Sequence, residues 1–85
     1  TFMIILATTK SGKDITYTVY DERKDGWSSM SRTTGLTACA FTKLLVDNKI
    51  SGSGIQCPEK LGQNESNYNF VLNYLKEKDI SIQWN

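Results

Sequence analysis

The sequence predicts an α+β domain in the order β-β-α-α-β, its helices packed on a small mixed or antiparallel sheet. Three observations carry this prediction. Two strand-like stretches open the chain on either side of a polar turn, two stretches of helical period fill its middle, and a short alternating stretch closes it.

Phe2 to Thr8 is bulky, partly β-branched and free of breakers, as a buried strand is. Thr9-Lys10-Ser11-Gly12-Lys13-Asp14 is polar and contains glycine, so it reads as a turn. From Ile15 to Asp21 the chain alternates. Ile15, Tyr17 and Val19 fall on one face, and Thr16, Thr18 and Tyr20 on the other, the mark of a half-buried strand. The two strands together make a β-hairpin. Glu22-Arg23-Lys24-Asp25-Gly26 is a solvated loop.

Thr33 or Thr34 is the expected N-cap of the first helix, its hydroxyl accepting from an unpaired first-turn N–H. The helix is predicted from Gly35 to Asn48, where Leu36, Ala40 and Leu44 stack with Phe41 and Leu45 beside them. Asn48 or Lys49 ends it, because Ser51-Gly52-Ser53-Gly54 cannot continue a helix. Ile55-Gln56-Cys57-Pro58-Glu59 is expected to be extended around its proline. Asn64 caps a second helix predicted from Glu65 to Lys78, with Tyr68, Val71, Leu72 and Leu75 on one face and Phe70 and Tyr74 adjoining. Lys76 and Lys78 suit the negative end of that helix dipole. Ile80-Ser81-Ile82-Gln83-Trp84 alternates as a final strand. No repeat, low-complexity tract or internal boundary interrupts the chain, so residues 1–85 read as a single domain.

Length and composition bound the function. A chain of 85 residues buries only about 60–65% of its unfolded surface, so its core is thin. Two cysteines, Cys39 and Cys57, cannot make a disulfide-dense scaffold, and without a histidine they do not make a zinc site. Both thiols read as reduced, in a cytoplasmic protein. Ten basic and nine acidic residues leave a net charge of +1, which gives no electrostatic reason to expect nucleic acid or an anionic membrane as partner. The apolar run Phe2-Met3-Ile4-Ile5-Leu6-Ala7 is too short to span a bilayer, which takes about 20 residues, and lacks the flanks of a signal peptide. The sequence begins at Thr1 rather than Met, which suggests a fragment, a processed product or a trimmed chain.

Catalytic chemistry is hard to find. Histidine, the commonest acid–base group at neutral pH, is absent. No dinucleotide-binding glycine pattern follows a strand, and Gly52-Ser53-Gly54 follows a helix, so it reads as a connector. The most suggestive element is Arg32-Thr33-Thr34-Gly35, placed just before the expected helix start. First-turn N–H groups and the dipole favour an anion there, and Arg32 adds a two-pronged carboxylate contact, which makes these four residues the candidate substrate-binding group. The plainer alternative is that the threonines only cap the helix and Arg32 faces water. If Arg32 grips a carboxylate, Arg32→Ala raises KM and leaves stability within about 0.5 kcal/mol. Gly35, Ala38, Cys39 and Ala40 allow close backbone approach, either to the domain's own sheet or to a further part of the protein. Cys39 and Cys57 are read as inert packing. The aromatic residues fit core or interface positions better than a base-stacking platform.

Ser29-Met30-Ser31-Arg32-Thr33-Thr34-Gly35 is similar to the S-M-x-x-T-x-G element near the C-terminus of saccharopine dehydrogenase-family enzymes. Leu44-Leu45-Val46-Asp47-Asn48-Lys49-Ile50 resembles the family's helix end, with Asn48 where glycine is usual; Asn also tolerates left-handed backbone. Gly54-Ile55-Gln56-Cys57-Pro58-Glu59-Lys60-Leu61-Gly62 resembles its Gly-Ile/Val-x-x-Pro-Glu-x-Leu-Gly element. The strand end Tyr17-Thr18-Val19-Tyr20-Asp21 is similar too, so the resemblance spans roughly Ile15 to Ile82. It implies the C-terminal portion of an NAD(P)-dependent oxidoreductase of the saccharopine reductase or lysine dehydrogenase type, acting on amino-acid C–N bonds in lysine or polyamine metabolism. The nucleotide fold of such an enzyme lies N-terminal, so NAD(P) is implied for the whole enzyme and no cofactor, metal or catalytic residue for this chain, which is expected to be inactive alone. The implied partners are the remainder of the enzyme and, since many members dimerise, a second copy. Two other expectations stand beside this one: a free-standing binding module for a small anion, and an oligomerisation domain pairing through the edge of Phe2 to Thr8.

Overall fold

The structure is a computed structural model that describes residues Thr1–Asn85. Strands β1 (Phe2–Thr8) and β2 (Asp14–Tyr20) form the expected hairpin. Helix α1 (Ser29–Val46), the single turn α2 (Pro58–Leu61) and helix α3 (Glu65–Glu77) follow, and β3 (Ser81–Trp84) closes the chain. The sheet order is β1-β2-β3 with both pairings antiparallel, so the last strand returns to the open side of β2. The register places Met3 opposite Val19 and Ile5 opposite Tyr17, with Ile82 and Trp84 continuing those rows on β3. These odd and even sets share the face that α1 and α3 overlie. Phe2, Ile4 and Leu6 of β1, with Thr16, Thr18 and Tyr20 of β2, lie on the other face.

Helix α1 corrects the expected start. It begins six residues earlier than Gly35, and its cap is Ser28, whose backbone is extended and whose side-chain oxygen accepts from Ser31 N–H at 3.2 Å. Nothing between Ser29 and Thr34 breaks a helix, so the first available cap residue fixes the start. Thr33 is then an interior residue, and its hydroxyl donates back to the Ser29 carbonyl at 3.1 Å. At the other end, Asn48 takes φ 58°. Asn48 N–H bonds to Leu45 O at 3.1 Å and Lys49 N–H to Leu44 O at 2.9 Å, a Schellman end with asparagine in the left-handed position.

Pro58 gives a second correction. Cys57 is extended, as a residue before proline should be, but Pro58 itself is the first residue of α2 rather than part of an extended segment. Helix α3 starts as expected: Asn64 Oδ1 accepts from Asn67 N–H at 3.1 Å. It ends like α1, with Asp79 at φ 66° and Ile80 N–H bonded to Leu75 O at 3.1 Å. That turn buries Ile80 against Leu75, at 2% and 9% exposure.

Only six of the 85 residues are buried, and four of them, Ala40, Leu44, Leu75 and Ile80, are the whole hydrophobic centre. They come from α1, α3 and the turn into β3. Strand β1 contributes none and is exposed along its length. Cys39 and Cys57 are exposed free thiols, not the inert packing expected of them. Cys39 falls on the side of α1 away from Ala40 and Leu44, beside the exposed Gly35 and Ala38. No helix is long and apolar enough to cross a membrane.

Candidate functional site

Two concavities stand out, one apolar and one charged. The apolar one is a groove of about 760 Å³ between the sheet and the helices. Met3 and Ile5 of β1 and Val19 of β2 form its floor, Met30, Thr33 and Thr37 of α1 one wall, and Leu72 and Leu75 of α3 the other. It is the space where a fuller core would sit. At one end the hydroxyls of Tyr17 and Tyr68 meet at 2.8 Å, joining β2 to α3. Tyr17 also stacks on Trp84, with ring centroids 6.2 Å apart. The Tyr17 hydrogen bond, helped by burial and by the Tyr17 charge, pushes the Tyr68 phenol up to about 12.

The charged one is a cup of about 410 Å³ at the end of β2, lined by Tyr20, Asp21, Glu22, Arg23, Lys24, Arg32, Asp79 and Ser81. Its centre is Asp21, which is 4% exposed. Arg32 Nε donates to both carboxylate oxygens, at 3.2 and 3.1 Å, and Nη2 donates to Oδ1 at 3.1 Å. Nη2 also donates to the Lys78 carbonyl at 2.6 Å. Ser29 Oγ donates to the Asp21 carbonyl at 2.8 Å. Burial pushes the Asp21 carboxyl up. Hydrogen bonds from Arg32 and Ser29, then the charges of the guanidinium and the N-terminal amine, outweigh it and hold the carboxyl below its ordinary value. On the rim, Lys24 pairs with Asp79 and holds that carboxyl down as well, while Tyr20 donates to Glu22, which raises the Tyr20 phenol.

The four sequence-selected residues do not converge on one point. Arg32 faces the charged cup, with Nε and Nη2 engaged inside the fold. Thr33 faces the apolar groove. Thr34 and Gly35 are exposed, and beyond its chain neighbours and the backbone of its own helix turn nothing lies within 4 Å of the place a Gly35 Cβ would take. All four are helical, so none offers a first-turn N–H to an anion. Asp21, the residue that organises the cup, was legible only as a strand end, since its partner stands eleven residues away with no local pattern to announce it.

Residues 1–80 match the Saccharopine dehydrogenase C-terminal domain. The chain belongs to that family. No curated protein and no solved structure matches it. The match runs from the start of β1 to Ile80, so in this saccharopine dehydrogenase C-terminal domain it takes in the hairpin, all three helices and the lining of both concavities except Ser81 and Ile82. It also extends the resemblance that the motifs carried by including β1.

Proposed function

We propose that this domain completes an NAD(P)-dependent oxidoreductase acting on amino-acid C–N bonds, and that it is inactive without the remainder of that enzyme. The observation that carries the reading is the uncovered apolar surface around β1. Phe2, Ile4 and Leu6 are 65%, 54% and 76% exposed on one face, and on the other Met3 and Ile5 floor an open groove. A folded domain that worked alone would cover so continuous an apolar surface. In this reading NAD(P) is bound by the nucleotide fold elsewhere in the enzyme, and the groove and β1 receive the packing surface of that remainder. Arg32 acts on the fold, by bracing β2 against α1 and α3, rather than on substrate.

The test uses the whole protein. Ile5→Asp places a carboxylate on the groove floor. The expected result is a large loss of NAD(P)-linked oxidation of saccharopine-like substrates together with a lowered Tm. Activity and Tm both equal to those of the unaltered enzyme would overturn the reading.

A further inference from the structure

Strand β1 has one free edge, and the hydrogen-bond phase of the hairpin says which groups face it. Thr1 and Asp21 exchange backbone bonds in both directions, at 2.8 and 2.9 Å, and Thr9 N–H bonds to Lys13 O at 2.8 Å. Antiparallel pairs alternate between bonded and non-bonded, so Met3, Ile5 and Ala7 turn their N–H and C=O groups to β2. Phe2, Ile4, Leu6 and Thr8 turn theirs to the open side, where no other strand lies.

Surface edge strands are ordinarily protected by charge, proline or a bulge. β1 has no charged residue and no proline, and its pairing with β2 runs without a bulge from Phe2↔Tyr20 to Thr8↔Asp14. Its side chains tell the same story across the sheet. On the face away from the helices, β3 presents Ser81 and Gln83 and β2 presents Thr16, Thr18 and Tyr20, while β1 presents Phe2, Ile4 and Leu6. Polarity falls from β3 to β1, as it does from the rim of a sheet to its middle. A strand apolar on both faces belongs to the interior of a sheet.

We infer that β1 is an interior strand of a larger sheet, and that the strand pairing with its free edge comes from another part of the same polypeptide. This deepens the proposed function and rests on it. A second copy is the weaker occupant. Seven residues extend about 24 Å, and a strip about 10 Å wide along them buries about 240 Å² per copy, or about 500 Å² over both copies, short of the roughly 1,000 Å² total of a stable interface.

Amide hydrogen exchange on the whole protein tests the inference at single residues. The amides of Ile4 and Leu6 should exchange at least about 100-fold more slowly than unpaired amides, as those of Met3 and Ile5 should from their pairing with β2, and should do so equally at high dilution. Exchange of Ile4 and Leu6 within a few-fold of the unpaired rate overturns the added strand. Protection that disappears on dilution to the monomer overturns its origin in the same polypeptide and assigns it to a second copy. Maleimide labelling of a Leu6→Cys protein, read by peptide mapping, separates the two proposals. A shielded thiol with fast Ile4 and Leu6 amides leaves the packing role standing and removes the strand. A freely labelled thiol with fast Ile4 and Leu6 amides removes both.

Discussion

Arg32 Nε lies 3.1 Å from Asp21 Oδ2, and the same guanidinium reaches the Lys78 carbonyl at 2.6 Å, so one side chain ties the end of β2 to the body of α1 and the end of α3. The side chains are 12% and 2% exposed, so water can replace little of what the pair provides. Arg32→Ala should therefore cost about 3–5 kcal/mol, because it leaves the Asp21 carboxylate buried without a partner. Arg32→Lys should recover little of it, since an ammonium cannot reproduce the two-pronged contact. Thermal unfolding checks both. A raised KM with unaltered Tm in Arg32→Ala would instead restore the carboxylate-gripping reading.

The same pair sets an acid limit. The folded Asp21 carboxyl ionises below its ordinary value of 3.8, so its contribution is fully present above that value and is lost as pH falls through the lower folded value. Stability measured from pH 6 downward should fall more gently in Asp21→Asn than in the unaltered protein below about pH 4. Parallel curves would show that the pair does not carry the acid sensitivity.

At the alkaline end the sign reverses. Tyr68 is raised from 10.0 to about 12, so the folded state favours its protonated form. The contribution is present below pH 10.0 and is lost as pH rises through about 12. Ultraviolet titration should show Tyr68 ionising late, beside the raised Tyr20, and Tyr17→Phe should move the Tyr68 step to lower pH by removing its main cause. A titration curve that Tyr17→Phe leaves unshifted would contradict the hydroxyl pair.

Periodic elements were legible in the sequence and tertiary ones were not. β1, β2 and α3 matched their expected bounds within a residue because alternation, helical period and the Asn64 cap are local signals. The start of α1 differs from its expected place because Thr33 and Thr34 have the same capping chemistry as Ser28 and no local signal separates them. Pro58 restricts Cys57 to extended backbone and also favours the first turn of a helix, and the sequence alone does not say which effect decides the segment. The Asp21–Arg32 and Tyr17–Tyr68 contacts span 11 and 51 residues and have no sequence period to reveal them.

Mutation can separate the two candidate caps. Ser28→Ala should cost about 1 kcal/mol through the lost bond to Ser31 N–H. Thr34→Ala, at an exposed interior position, should stay within about 0.5 kcal/mol. The reverse order in chemical denaturation would place the helix start at the threonines.

Asn48, at φ 58°, offers a site for gain. Asn48→Gly should be neutral or stabilising by about 0.5 kcal/mol, and Asn48→Val should cost about 1–2 kcal/mol, because a branched side chain resists left-handed backbone. Equal stabilities for the two would show that the α1 end is not held in that conformation.

The central place of β2 has a consequence for the order of assembly. Its pairing with β1 closes across a short turn, whereas its pairing with β3 waits until both main helices have been laid down. Hairpins form in microseconds, while distant pairings must first overcome the entropy of closing a long loop. A newly made chain therefore passes through a stage in which a two-stranded ribbon, apolar along β1, stands without its third strand. Chaperone dependence and aggregation during synthesis should concentrate in that interval, and charges introduced at Ile4 or Leu6 should reduce both.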